Sequence, residues 1–154
     1  MKRLRGDLIN LALDGHFDVI VHGCNCFHTM GAGLARQIKL AFPEAWSADC
    51  ATPHGKRSKL GTCSHAKCHR PQGTVTVVNA YTQYRTGRGK QTSYSALRRC
   101  MRWVTEHCSG CSIGMPKIGA GLGGGDWHII REIIHEELGD EDVTIVEYRH
   151  EKGR

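Results

Sequence analysis

"SIGMPKIGAGLGGGDW" (residues 112–127) joins a short apolar run to a helix-like run through a loop that is almost bare of side chains. From Met115 to Trp127, five of thirteen residues are glycine. Each glycine raises the entropy cost of ordering the chain by roughly 0.5–1 kcal/mol relative to alanine. So many in one loop imply that something must approach the backbone closely.

The same plan of buried strand, glycine-rich turn and helix occurs earlier, in "VIVHGCNCFHTMGAGLA" (19–35), and both segments contain "GAGL". A helix N-terminus presents unpaired N–H groups and a partial positive charge, which suit an anion. Glycine lets those N–H groups crowd against phosphate oxygens. Two such loops facing each other would grip a diphosphate. Neither fits the dinucleotide fingerprint GxGxxG in its usual place, and there is no Walker sequence. The residues by themselves therefore point to a phosphate-ester binder.

Around these loops strands and helices alternate. "KRLRGD" opens as a short strand, followed by the amphipathic "LINLALDG". "FDVIVHGCN" and "GTVTVVNAY" are apolar runs of the buried-strand type. "GAGLARQIKLAF" carries Leu34, Ile38 and Ala41 on one helical stripe, and Pro43 ends it or opens a second short helix. One further strand is expected around 61–68. "TSYSALRRCMRWVTEHC" places Tyr94, Leu97, Met101 and Val104 at helical spacing. In "DWHIIREIIHEELG", Trp127, Ile130, Ile134 and Leu138 point inward, with Gly139 as C-cap. "DVTIVEYR" (142–149) is the last strand. This order predicts a single α/β domain over residues 1–154, with three layers, α/β/α, and a mixed, largely parallel central sheet. Ligands of such sheets bind at the strands' carboxyl ends, where the glycines fall.

The 154 residues, 23% charged and 40% hydrophobic, suit one globular core. Asp7 and Asn10 interrupt any signal-peptide core and no run reaches transmembrane length, so a soluble, cytoplasmic protein without membrane contact is expected. The eight cysteines are then expected to be reduced. Cys63, Cys68, Cys108 and Cys111 have the makings of a zinc site, but their segments alternate like strands, and no metal is expected. The net charge of +6 is concentrated in "HGKRSK" (54–59) and "RTGRGK" (85–90), either solvated loops or a field that attracts an anion. Nucleic acid is disfavoured, because no aromatic residues interleave with these runs.

Taken together, "RGDL…VIVHGCN…MGAGLA…VVNAYTQ…MPKIGAGLGGGDW…VEY" resembles the macrodomain, the ADP-ribose-binding fold, over nearly the whole chain. It is most similar to the branch holding ADP-ribose 1″-phosphate phosphatases and ADP-ribosyl-glutamate hydrolases. The resemblance implies that Asp7 accepts a hydrogen bond from the adenine amino group, beside Leu8, although Asp7 also reads as a helix N-cap. It implies that Asn25 contacts the distal ribose, where the alternative is a turn asparagine. Gly31, Ala32, Gly33 and Leu34 would form the first phosphate loop. Ile118, Gly119, Ala120, Gly121, Leu122 and Gly123 would form the second. Thr82 would join the ligand contacts. Tyr148 would lie beside the adenine or be a half-buried sheet tyrosine. No cofactor is implied.

The activity implied is hydrolysis of ADP-ribose 1″-phosphate, with the alternatives of a non-catalytic reader of ADP-ribose or ADP-ribosylated protein, or a protein de-ADP-ribosylase. His22, just after the second strand's apolar run, matches a histidine assigned a catalytic part in some phosphatases, and an imidazole titrates near neutral pH. Its alternative is a histidine bonded to neighbouring backbone. His28 is a second candidate or a surface histidine. Asp126 would orient water near the distal ribose, or cap the following helix. Glutamate-specific hydrolases use a lysine and an aspartate where this chain has Gln83 and Gly123, so their covalent mechanism is not available here.

Overall fold

Two strands with apolar residues on both faces run through the middle of the protein, β2 (Val19–Cys24) and β4 (Gly73–Tyr81). Strands that read as unbroken valine and isoleucine must be covered on both sides. The computed structural model, which describes residues 1–148, supplies both covers. One face carries α1 (Leu8–Leu13), α2 (Gly33–Ala41) and α3 (Pro43–Cys50), packed on Ile20, Val75, Val77 and Tyr81. The other carries α4 (Tyr94–Cys108) and α5 (Trp127–Leu138), packed on Val19, Val21, Val78 and Ile113. The layers are α/β/α, as expected.

The sheet is completed by β1 (Lys2–Gly6), β3 (Cys63–Arg70), β5 (Ser112–Met115) and β6 (Asp142–Tyr148), in the order β1-β6-β5-β2-β4-β3. All neighbours are parallel except the β3–β4 hairpin. Both edge strands carry charge that discourages further pairing: Lys2, Arg3 and Arg5 on β1, Lys67 and Arg70 on β3. Arg149, expected to end the last strand, lies outside the described residues. Gly139 does end α5, but in right-handed conformation (φ −59°) rather than as a left-handed cap. A Cβ there would lie 2.5 Å from the His135 carbonyl oxygen, so the need for glycine is steric.

One detail of register creates the site. β2 pairs with β4 along its full length, up to Cys24 opposite Tyr81. With β5 it pairs only at Val19 and Ile20. Beyond Ile20 the two strands part, and both glycine loops leave from either side of this opening, at the sheet's carboxyl edge.

Candidate functional site

A cleft of about 550 Å³ occupies that edge. At one end lie Asp7, Leu8 and Tyr148, from the carboxyl ends of β1 and β6; at the other, Gly33 and Leu34 face Ala120 and Gly121 across the gap. The structure thus brings together seven of the residues singled out from the sequence. Gln37, Lys117 and Glu147 also line it, and sequence reasoning missed them. Lys117 lies two residues beyond the end of β5 and Glu147 is the next-to-last residue of β6, so the rule that ligands sit at strand carboxyl ends would have found both.

Asp7 caps α1, its Oδ1 accepting from the Asn10 N–H at 3.0 Å. A carboxylate has two oxygens and several lone pairs, so capping leaves it capacity for a ligand donor. Glu147 is bonded by Arg3 and lies 3.4 Å from Lys117 Nζ; the Arg3 guanidinium above all holds its carboxyl below the usual range.

The first loop meets the cleft at Gly33 and Leu34. α2 begins at Gly33, and its N-cap, Ala32, offers no side-chain hydrogen bond. Its first N–H groups are left without a side-chain cap, next to the gap. Gly33 has φ +57°, which an L side chain rarely adopts. Gly31 and Ala32 are exposed in the approach to the helix.

The second loop is built differently. α5 starts six residues after Gly121, and Asp126 caps it by accepting from the His128 N–H at 2.8 Å. Asp126 is therefore the cap and lies away from the cleft lining. Gly119 and Gly123 are held from below by Thr92, whose Oγ1 donates to the Gly119 carbonyl (2.8 Å) and lies 3.3 Å from that of Gly123. A Cβ on Gly123 would fall 2.3 Å from that hydroxyl. A Cβ on Gly121 would meet nothing within 4 Å. Leu122, 75% exposed, reaches across to the first loop: its Cδ1 is 3.3 Å from where a Gly33 Cβ would stand. Ile118 is buried in the core below. Thr92, unremarked in the sequence, is what shapes this loop.

Several other expected residues lie off the cleft. Asn25 donates to Thr29 Oγ1 (2.6 Å) and accepts from the Phe27 N–H (2.9 Å), so both ends of its amide close its own turn. His28 adopts φ 56°, and its Nε2 bonds the Thr52 carbonyl at 2.7 Å. Thr82 is fully buried, and its hydroxyl is the single buried side-chain oxygen or nitrogen without a hydrogen-bond partner among the described residues.

His22 is 1% exposed on the α3 side of the sheet. It belongs to a buried polar strip. Its Nε2 bonds Asn79 Oδ1 at 2.7 Å, and the Asn79 amide donates in turn to Ser64 Oγ and the Ala45 carbonyl. Because that amide nitrogen is committed as donor, Asn79 Oδ1 is the acceptor and His22 Nε2 carries the proton. Tyr81 continues the strip, donating to Asp49, which faces Lys59 at 3.7 Å. Burial lowers the His22 pKa to about 4, so the ring is neutral at physiological pH. The neutral ring is sealed beneath the sheet edge and is not among the residues that line the cleft. His22, expected just after the second strand, lies within β2, and because side chains alternate along a strand it shares with Ile20 and Cys24 the face that α1, α2 and α3 cover.

The cysteine clusters separate in the same way. Cys63 packs with the α4–α5 core, as do Cys108 and Cys111, whereas Cys68 points into the opposite core. These four thiols cannot share one metal ion. A second, shallower groove of about 840 Å³ runs between α4 and α5. Its Arg98 and Arg102 are paired with Glu136 and Glu137, so it is a salt-bridged helix seam. No helix among the described residues is long and apolar enough to cross a membrane.

Comparisons with known proteins agree with this architecture. The sequence profile of the Macro domain matches residues 21–134. A 17.5 kDa protein from the tk–vs intergenic region of Enterobacteria phage T4 is 37% identical over 153 residues, 96% of each chain. An ADP-ribose 1″-phosphate phosphatase of Candida albicans is 25% identical over 144 residues, 88% of this chain and 92% of that one. Among solved structures, Thermosipho africanus DarTG in complex with ADP-ribose superposes with a TM-score of 0.72 at 18% identity, covering 100% of this chain and 43% of the longer one. Split strands, paired glycine loops and a profile match over most of its length lead to one conclusion: the chain belongs to the Macro domain family.

Proposed function

We propose that the chain binds ADP-ribose in this cleft and hydrolyses ADP-ribose 1″-phosphate to ADP-ribose and phosphate. One observation carries the binding: the uncapped N-terminus of α2 faces the open backbone of Gly121 across the gap, with Asp7 at the cleft's far end. Backbone N–H groups at a helix start suit a diphosphate, and a carboxylate suits the amino group of a base. The phosphatase of Candida albicans and the ADP-ribose complex of Thermosipho africanus support the ligand class.

Hydrolysis joins a water oxygen to phosphorus and breaks the bond to the sugar oxygen, which leaves with a proton. Phosphoryl transfer passes through a loose transition state, in which positioning and electrostatic stabilisation do most of the work. Backbone donors and the cationic loop at 85–90 suit that task without the His22 imidazole. A second reading, a non-catalytic reader of ADP-ribose or ADP-ribosylated protein, is favoured by the burial of His22 and the capping role of Asp126.

Calorimetric titration with ADP-ribose, followed by phosphate release from ADP-ribose 1″-phosphate, separates the readings. Binding with release supports the phosphatase. Binding without release favours the reader, and no binding overturns both.

A further inference from the structure

The cleft runs across the sheet edge from β1 and β6 to the gap between β5 and β2. Beyond β2 the next strand is β4, parallel to it, so the segment leaving β4, 82–93, departs from the same carboxyl edge of the sheet. That segment is fastened to the second glycine loop: the Gln91 and Thr92 N–H groups donate to the Gly123 carbonyl at 2.8 and 3.1 Å. It is equally fastened to the root of the first loop, where the Cys26 N–H donates to the Tyr84 carbonyl at 3.0 Å. The other basic run joins them there. The Gly55 N–H donates to the Cys26 carbonyl, the Tyr84 hydroxyl donates to the Gly55 carbonyl, and the Arg57 guanidinium lies 4.0 Å from the centre of the Tyr84 ring.

Two basic runs, remote in sequence, thus form one end wall carrying Lys56, Arg57, Arg85, Arg88 and Lys90, all exposed. Among the described residues, none of the five pairs with a carboxylate. The diphosphate of ADP-ribose is served by the α2 N-terminus, so these cations are left for a further negative group. Guanidinium forks match phosphate oxygens better than they match a sugar.

Resting on the function proposed above, we propose that this wall binds a phosphate carried on the ligand's far ribose, and that Arg85, Arg88 and Lys90 select substrates that bear one. A terminal monoester and the first phosphate of an attached phosphodiester strand present the same chemistry to it.

The test compares the wild-type chain with an Arg85→Gln, Arg88→Gln, Lys90→Gln variant, whose changed side chains are exposed. Displacement of a fluorescent ADP is read in the first seconds after mixing, for ADP-ribose and ADP-ribose 1″-phosphate. Wild type should prefer the phosphorylated ligand by about tenfold, and the variant should lose that preference while holding ADP-ribose within about twofold. The preference should shrink between about 50 mM and about 200 mM salt. A short thymidylate strand that displaces the phosphorylated ligand and spares ADP-ribose identifies the diester as the source; an inert strand identifies the monoester. Equal losses for both ligands, or an unchanged preference, would overturn the assignment. Failure of wild type to bind ADP-ribose itself overturns the underlying reading, and this wall's role with it.

Discussion

The two glycine loops carry the same tetrad for different reasons. In the first, Gly31 has no heavy atom within 4 Å of an added Cβ, and Gly33 opens a helix whose N–H groups face the gap. In the second, Gly119 and Gly123 are bare because Thr92 presses on them from below, and only Gly121 faces open space. Identical sequence therefore serves access on one side and packing on the other. The lesson is that a glycine's meaning lies in what its missing Cβ would touch.

The strongest way to break this comparison is a pair of substitutions two residues apart. Gly121→Trp should leave stability within about 0.5 kcal/mol, while weakening ADP-ribose binding by about a hundredfold, roughly 2.7 kcal/mol. Gly123→Val should cost about 1–3 kcal/mol of stability, because its side chain overlaps Thr92. Denaturation together with calorimetry reads both. Normal binding by the tryptophan variant would remove Gly121 from the site.

A second test probes the root of the first loop. A free histidine binds protons more readily than buried His22, so the unfolded chain takes up more of them. Stability should fall as pH drops from 6.5 towards 4, by about 3 kcal/mol from this residue. His22→Gln should flatten that part of the profile and leave ADP-ribose affinity at neutral pH within about threefold. Selective loss of phosphate release in a stably folded variant would restore His22 to the chemistry.

Smaller effects sharpen the contrast. Thr92→Val keeps the shape but removes the hydroxyl beneath the second loop, so affinity should fall by about tenfold, with Thr92→Ser recovering most of it. An equal deficit in the serine variant would mean that volume, rather than the hydrogen bond, sets the loop. Least of all, Asp7→Ser should preserve the α1 cap, holding stability within about 0.5 kcal/mol. It should still weaken ADP-ribose severalfold, and unchanged affinity would leave Asp7 as a cap alone.

Much of this was legible without coordinates. The apolar runs at 19–24 and 73–81 announced doubly covered strands, and the stripes Leu97–Met101–Val104 and Ile130–Ile134–Leu138 found the core. Asp7, Leu34 and Gly121 were expected at the site from the resemblance to the macrodomain, and all three line the cleft. At three positions the sequence left two roles open. Asn25 and Asp126 make the local turn and cap bonds that were among those alternatives, whereas His22 bonds Asn79, 57 residues away, which local sequence does not reveal.

The order of strands, helices and glycine turns was determined by the sequence alone, because periodicity and backbone sterics are local; the family was read from the motifs that this sequence shares with it. Only the tertiary structure decided which glycines face the cleft, that Thr92 braces the second loop, and that two distant basic runs form one wall. Those facts depend on contacts between segments far apart in the chain, which local physics leaves open until the sheet sets its register.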